Sequence, residues 1–396
     1  MTTGLQPRSL GLPSHWRSCQ LRRIAAIENG ADYKTFEVDS GGVPVLGSGG
    51  EFARAKRAIY GGPSVLFGRK GTIDKPLLVT EPFWTADTMF YTRLMGNVEP
   101  RFLYYYATTI PFRFYSTDTA LPSMTSSDLA GHEVPLPPLR EQAAIADFLD
   151  RETARIDTLI EKQEKLIETL RERVQANVVK LFPPPEATTE QLDRLGRHAR
   201  IGNGSTPQRG NPSYWDHGNI PWLNSSAVNR ASVTEAQQFV TETAFKECHL
   251  PLVRPGSSLV GLTGQGKTRG MTTHLSMTAT INQHMAFLTP DPAVLDSWFL
   301  TWTLRARYDG LRRLSDENGS TRGGLTCQQI AALPIRIPPI NQQKRTVYEL
   351  EVATQKTETL ITKAERFIEL AKERRSALIT AAVTGQIEVG EEAPVG

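Results

Sequence analysis

The sequence predicts an α+β protein in which two loop-rich mixed α/β domains, related by an internal pseudo-twofold repeat, are separated by two long antiparallel coiled-coil helices. Three observations carry this expectation: a gapless internal repeat, two runs of about 40 residues free of Pro and Gly, and stretches between them where short β-prone runs alternate with turn residues.

The repeat comes first, because a missed repeat misassigns a whole fold. Residues 134–176 align without a gap to residues 335–377, 201 positions on. The alignment pairs Pro137 with Pro338, Gln142 with Gln343, Leu149 with Leu350, Ile160 with Ile361, Glu164 with Glu365 and Arg173 with Arg374. A shorter match relates residues 21–30 to 195–204 at an offset of 174, so the stretches between the two matches differ in length by 27 residues. The chain therefore divides into a first globular domain (1–137), a helical spacer (138–182), a Pro-rich linker (183–189), a second globular domain (190–338), a second spacer (339–384) and a tail (385–396).

Within the first domain, Ser64–Phe67 and Leu77–Thr80 read as strands and Arg101–Thr108 as a short helix; in the second, Ser258–Gly261 and Met285–Leu288 read as strands and Val294–Arg307 as a helix. Both spacers open with Pro-Pro and a Gln-bearing turn and then lack helix breakers. Ile156, Ile160, Gln163, Ile167, Leu170, Val174 and Leu181 follow the alternating three-and-four spacing of a coiled-coil seam, and Ile361, Ala364, Ile368, Ala371 and Leu378 repeat it. Leu159, Leu166, Leu360 and Phe367 widen that apolar face. Helices of this length, roughly 60 Å at 1.5 Å per residue, exceed what a domain needs for its own core. Pairing them with each other, antiparallel, buries both stripes and implies a pseudo-twofold axis within one chain.

Composition narrows the function classes. With 39% hydrophobic and 22% charged residues the chain has a globular composition. Lys+Arg 45 against Asp+Glu 42 leaves +3, so any nucleic-acid affinity must come from local patches. Cys19, Cys248 and Cys327 are too few and scattered for a disulfide framework or a Cys-based zinc site, and the seven histidines show no ligand spacing. No apolar run is long enough to span a membrane and no signal-peptide core is present, so a cytoplasmic protein without membrane partners is expected.

One motif invites another answer. Gly261-Leu-Thr-Gly-Gln-Gly-Lys-Thr268 satisfies the P-loop pattern after a β-like run, which makes a P-loop NTPase the alternative. A P-loop needs a helix directly after Lys-Thr to aim its amides at phosphate. Here Thr268 to Leu275 holds Gly270 and several Thr and His residues, and no apolar strand ending in Asp follows. The repeat supplies a different reading: Phe67-Gly-Arg-Lys-Gly-Thr72 is the equivalent loop of the first half, and paired cationic glycine-rich loops suit contacts to nucleic acid. Asn211-Pro-Ser-Tyr214 approaches the catalytic tetrapeptide of amino-methyltransferases, but Ser213 breaks it and no methyl-donor motif accompanies it.

Candidate DNA-binding residues combine cations, amides and hydroxyls, the groups that read base edges. In the second half they are Gln208, Arg209, Asn211 and Tyr214, with Trp215 beside them; Gln265, Lys267, Thr268 and Arg269; Asn282, Gln283 and His284; and Arg322. In the first half they are Arg69, Lys70, Thr85, Asp87 and Arg93, while Tyr104, Tyr105 and Tyr106 read as packing residues. Arg305, Arg307, Arg312 and Arg313 form the densest basic cluster, suited to phosphates or to a solvated helix face.

Taken in order, Leu12-Pro-Ser-His-Trp16, Gly204-Ser-Thr-Pro-Gln-Arg-Gly-Asn-Pro-Ser-Tyr-Trp215, Ile220-Pro-Trp222, the two Pro-Pro turns leading into Gln142 and Gln343, and the closing Ala377-Leu-Ile-Thr-Ala-Ala-Val-Thr-Gly-Gln386 resemble the specificity (S) subunit of type I restriction-modification enzymes over nearly the whole chain. The resemblance implies a non-catalytic subunit whose two target-recognition domains each read one half of a split, asymmetric duplex DNA target, with helix length setting the unread gap. It implies docking of two modification (M) subunits and of restriction (R) subunits, with the seam residues Ile156, Ile160, Ile167, Leu170, Val174, Ile361, Ile368 and Leu378 at the subunit interface. No cofactor is expected on this chain; S-adenosylmethionine, ATP and Mg would belong to partner subunits, whose complex methylates adenine and cleaves DNA.

Overall fold

The computed structural model describes residues 11–115, 122–187, 191–264, 266–316 and 324–389. The chain forms two compact units, one from residues 1–165 with 364–396 and the other from residues 166–363. The first contains β1 (Arg17–Gln20), β2 (Ala25–Asn29), β3 (Val43–Gly47), β4 (Gly50–Ala55), β5 (Ser64–Gly68), β6 (Leu77–Val79), β7 (Trp84–Thr85), β8 (Met89–Leu94), α1 (Pro100–Ala107), α2 (Ser126–Ala130) and β9 (Glu133–Leu136), followed by the start of α3 (Leu139–Leu181). The second contains β10 (Leu192–Arg194), β11 (Ala199–Asn203), α4 (Pro212–Trp215), β12 (Ile220–Leu223), β13 (Ser232–Val233), β14 (Gln238–Val240), α5 (Glu242–Glu247), β15 (Ser257–Gly261), β16 (Thr272–Leu275), β17 (Thr280–Ile281), β18 (Met285–Pro290), α6 (Ser297–Ala306), α7 (Tyr308–Asp316), α8 (Cys327–Ala332) and β19 (Pro334–Arg336), followed by α9 (Ile340–Val383), which from Ala364 onward belongs to the first unit.

Each unit builds the same frame. A larger sheet runs β2-β8-β5-β6 in the first and β11-β18-β15-β16-β13 in the second. A small sheet runs β4-β3-β7 and β14-β12-β17, with one antiparallel and one parallel pairing each time. A two-stranded ladder, β1 with β9 and β10 with β19, ties each domain's entry to its exit. The four runs expected as strands are β5, β6, β15 and β18; β5 and β15 are buried at every position, which is why they read as unbroken apolar or small runs instead of alternating ones. The second expected helix begins later than Val294, at Ser297, because the Asp296 carboxylate accepts hydrogen bonds from the Trp298 and Phe299 amides and so fixes the start.

The core of the first unit joins Val65, Phe67 and Phe90 of the larger sheet to Phe102, Leu103 and Tyr106 of α1, to Ile145 and Leu149 of α3, and to Trp16, Ile379, Ala382 and Val383. Arg101 fastens α1 to α3 through Asp147 (2.7 Å) and Asp150 (2.8 Å). The pairing of α3 with α9 here is antiparallel: Leu149 shares a core with Ile379, and eight residues further along α3 Asp157 accepts from Arg375 (2.9 Å). In the second unit Val178 and Phe182 pack in one core with Val347, Leu350, Phe299 and Leu300.

The long helices, of 43 and 44 residues, use the expected seam with one shift. Ile156, Ile160, Ile167 and Leu170 are buried, Val174 is only half-buried, and Val178 takes its place. On α9 Ala364 is buried while Ile361, Ile368, Ala371 and Leu378 are half-buried. Leu159, Leu166, Leu360 and Phe367 do not widen the buried face: they stay 46%, 44%, 50% and 41% exposed. A position next to an a or d residue in sequence lies about 100° around the helix, so a two-stranded seam leaves it outside.

Candidate nucleic-acid interface

In the second unit the loop after β11 is pinned by two indoles. Trp222 donates Nε1–H to the Ser205 carbonyl (3.1 Å) and Trp215 donates to the Gln208 carbonyl (3.1 Å). Their rings meet edge to face, and the Arg209 guanidinium lies 4.2 Å from the Trp215 ring centre and 4.7 Å from that of Trp222. Asn211 caps α4 by accepting from the Ser213 amide, and the Tyr214 hydroxyl donates to Glu247 (2.8 Å), so these two shape the loop.

A chain of hydrogen bonds links this loop to two others. Thr206 donates to Gln283 (2.5 Å), the Gln283 amide meets His284 Nε2 (3.2 Å), and Thr263 meets His284 Nδ1 (2.8 Å). Asn282 is 5% exposed and its side-chain oxygen accepts the His284 amide, which makes it a turn former. Thr206, Gln283, His284 and Thr263 thus form one polar patch.

Gly261-to-Thr268 is not a nucleotide loop. It leads from β15 into β16, antiparallel strands that pair Val260 with Thr272, and the helix a P-loop requires is replaced by a strand. Lys267 is exposed, while its carbonyl and that of Gly266 accept from Tyr308 and Arg312 of α7. Thr268 is half-buried, and Arg269, whose side chain is 12% exposed, is paired with Asp316 (2.7 Å). Gln265 and Arg322 lie outside the described residues.

The first unit repeats the loop. A Cβ at Gly68 would sit 2.3 Å from the Thr72 carbonyl oxygen, and one at Gly261 would sit 2.2 Å from that of Thr268, so both strands end in a residue whose side chain must be absent for the loop to fold back. Arg69 donates to the Asp87 carbonyl (3.2 Å), and Lys70 and Asp87 are exposed beside it. Thr85 is fully buried and gives its hydroxyl to Leu46, so it has no atom to offer a ligand. Arg93 is not brought to this cluster: it lies four residues beyond Met89 on β8, roughly 13 Å from the loop end at strand rise, beside Glu28 and Tyr91.

The dense basic cluster dissolves. Arg305 donates to the Thr272 and Ala231 carbonyls and Arg307 to that of Pro334, and burial lowers both guanidinium pKa values to about 10. Arg312 also turns to backbone, which leaves Arg313 exposed. Conversely, sequence reading missed Arg57, whose guanidinium lies 3.8 Å from the Phe36 ring centre and 5.6 Å from that of Trp84. No local motif marks it, since Phe36 and Trp84 are distant in sequence; the run Arg54-Ala-Lys-Arg57 is the nearest hint.

Among the described residues no group of three or more His, Cys, Asp or Glu side chains is placed to hold a metal, and no helix is long and apolar enough to cross a membrane. Residues 13–169 and 194–369 match the family model of the type I restriction modification DNA specificity domain. The chain belongs to that family. This specificity subunit is similar to the type I restriction enzyme EcoR124I/EcoR124II specificity subunit of Escherichia coli, 22% identical over 285 residues that cover 69% of this chain and 68% of the relative. Its fold is that of a chain from a structural study of assembly and conformational transition of the type I R-M system (TM-score 0.77, 18% identity, 95% of this chain and 99% of that one). The HsdS subunit from Thermoanaerobacter tengcongensis shares it too (TM-score 0.61, 19% identity, 95% and 98% covered). As a specificity subunit the chain is the DNA-recognition component of a type I system and is not itself catalytic.

Proposed function

We propose that the subunit reads a bipartite, asymmetric duplex target, one half-site per domain, and docks two modification subunits together with restriction subunits. The observation that carries this reading is a frame built twice with different side chains mounted on it. The sheets, the entry-exit ladder and the loop-closing Gly68 and Gly261 recur, while Arg69, Lys70 and Asp87 of one domain face a different set in the other: Gln208, Arg209, Lys267, Gln283 and His284. Equal frames with unequal contacts suit two different half-sites.

Burial supports one choice of docking surface. Ile156, Ile160, Ile167 and Leu170 are covered within the chain and have almost no surface to give a partner, so the contact falls to the exposed apolar residues Leu159, Leu166, Leu360, Phe367 and Leu370. S-adenosylmethionine, ATP and Mg would act on partner subunits. The test is a domain exchange: replacing residues 190–337 with the corresponding segment of another specificity subunit, assembled with modification subunits, should change the methylated sequence in one half-site only. A change in both halves would contradict the reading.

A further inference from the structure

In the second unit the hydrogen bonds of Arg305, Arg307, Arg312 and Arg209 separate these four arginines into two kinds. Arg305, Arg307 and Arg312 send their N–H groups to backbone carbonyls, which is how an arginine holds a fold together. Among the described residues Arg209 sends none to backbone. It is exposed, lies over the Trp215 and Trp222 rings, and among the described residues its one side-chain hydrogen bond goes to Gln238 Oε1 (3.2 Å). That bond uses one of the two lone pairs of Gln238 Oε1, and Arg209 keeps further N–H groups that Gln238 does not take. The guanidinium carries donors and no acceptor, beside a polar cleft lined by Asn224, Arg230, Glu235, Gln237 and Gln238.

The first unit places an arginine in the matching position from a different part of the chain. The parallel bridge of the small sheet pairs Val45 with Trp84 there and Trp222 with Thr280 in the second unit, so each domain carries one indole on this bridge, from opposite strands. Each indole donates to the loop that follows the first long strand, Trp84 to the Ala31 carbonyl (2.9 Å) and Trp222 to that of Ser205 (3.1 Å). Each is covered by an exposed arginine that shares it with a second aromatic: Arg57 with Phe36, reached from the end of β4, and Arg209 with Trp215, reached from the loop itself. Two unrelated segments deliver the same chemical group to the same place.

We propose that Arg209 and Arg57 are the guanine readers of the two half-sites, each offering the N–H groups of a guanidinium held against two aromatic rings to guanine O6 and N7. The proposal rests on the two-domain DNA-reading assignment and specifies the base. Two neighbouring aromatic rings confine the guanidinium and reduce its rotamer freedom before binding, which favours a directional bidentate contact to a base edge. A guanidinium has no acceptor, which suits guanine O6 and N7 and not the adenine edge, which requires one donor and one acceptor.

The experiment selects duplexes from a randomised library with the complex assembled on modification subunits, using the full chain and its Arg57→Ala, Arg209→Ala and Arg209→Gln variants, with thermal unfolding of each measured in parallel. The wild type should select guanine at a position in each half-site. Arg209→Ala should relax one such position by at least about fivefold and leave the other half-site unchanged, and Arg57→Ala should do the converse. Should Arg209→Ala unfold, Arg209→Gln decides: it should move the preference at that position from guanine towards adenine. Uniformly weaker binding with unchanged base preference would overturn the proposal in favour of a phosphate contact, and unchanged binding would overturn it in favour of a packing role. A wild-type complex that selects no sequence would instead overturn the DNA-reading assignment itself.

Discussion

Gln343 Oε1 accepts the Asp296 backbone N–H at 2.8 Å, and the same side chain donates to the Val294 and Pro338 carbonyls at 2.8 and 2.7 Å. Gln142 does the same for Glu99, Asn97 and Pro137. Both glutamines are fully buried at the first turn of a long helix, so each locks the start of its helix to the turn before α1 or α6. The Pro-Pro-x-x-x-Gln spacing, present in both spacers, is the sequence form of this lock.

Removing it strands buried polar groups. Gln343→Ala or Gln142→Ala leaves one N–H and two carbonyls without that partner, and each should destabilise the protein by about 2–4 kcal/mol. Urea unfolding monitored by circular dichroism checks this, and a loss below about 0.5 kcal/mol would show the lock to be dispensable.

Neighbouring helix positions should behave oppositely. Ile160 is 9% exposed and Leu159 is 46% exposed. Ile160→Ala should cost about 2–5 kcal/mol in the same unfolding assay, whereas Leu159→Glu should leave stability nearly unchanged and reduce co-purification of the modification subunit. Intact co-purification by a combined Leu159→Glu and Phe367→Glu variant would remove the exposed stripe as a docking surface.

Lys267→Ala should remove no nucleotide hydrolysis, because the chain has none to lose, and ATP with Mg should not raise the thermal midpoint of the wild type. Gly261→Ala, by contrast, should disorder the loop, since its Cβ would meet the Thr268 carbonyl oxygen at 2.2 Å. Hydrogen exchange of residues 262–271 would register the difference.

Acid should loosen both units. His132, enclosed by the Tyr106 and Tyr115 hydroxyls, and His274, stacked on Trp298, are held by burial at pKa values of about 4. Their folded pKa values lie below the unfolded value, so the unfolded chain takes up protons first as pH falls. Their contribution is intact above about pH 6.5, declines towards pH 4, and changes no further below that. Thermal midpoints across this range should fall for the wild type and fall less steeply for His132→Asn and His274→Asn.

The repeat, the long helices and the main strands were legible in the sequence because each depends on periodicity or on breakers, which are local. Burial on the helices was legible in part: the seam spacing marked Ile160, but Leu159, expected to widen the buried face, stays exposed, because only the geometry of the packed pair decides how wide that face is. The basic cluster misled for a related reason. Arg305 and Arg307 look like a phosphate surface in one dimension, yet both turn inward to carbonyls contributed by residues 272, 231 and 334. Arg57 lay hidden because its partners are remote in the chain. Arg209 was visible because the loop that carries it also carries one of its aromatic partners.

The second unit is one continuous stretch of chain, while the first needs residues from both ends. During synthesis the apolar surface around Trp16, Ile145 and Leu149 therefore waits for Ile379, Ala382 and Val383. At ribosomal rates of about 5–20 residues per second, some 230 residues impose a delay of roughly 10–50 s. The domain begun first is completed only after the second has been made, and until Ile379, Ala382 and Val383 emerge the nascent chain carries an uncovered apolar face.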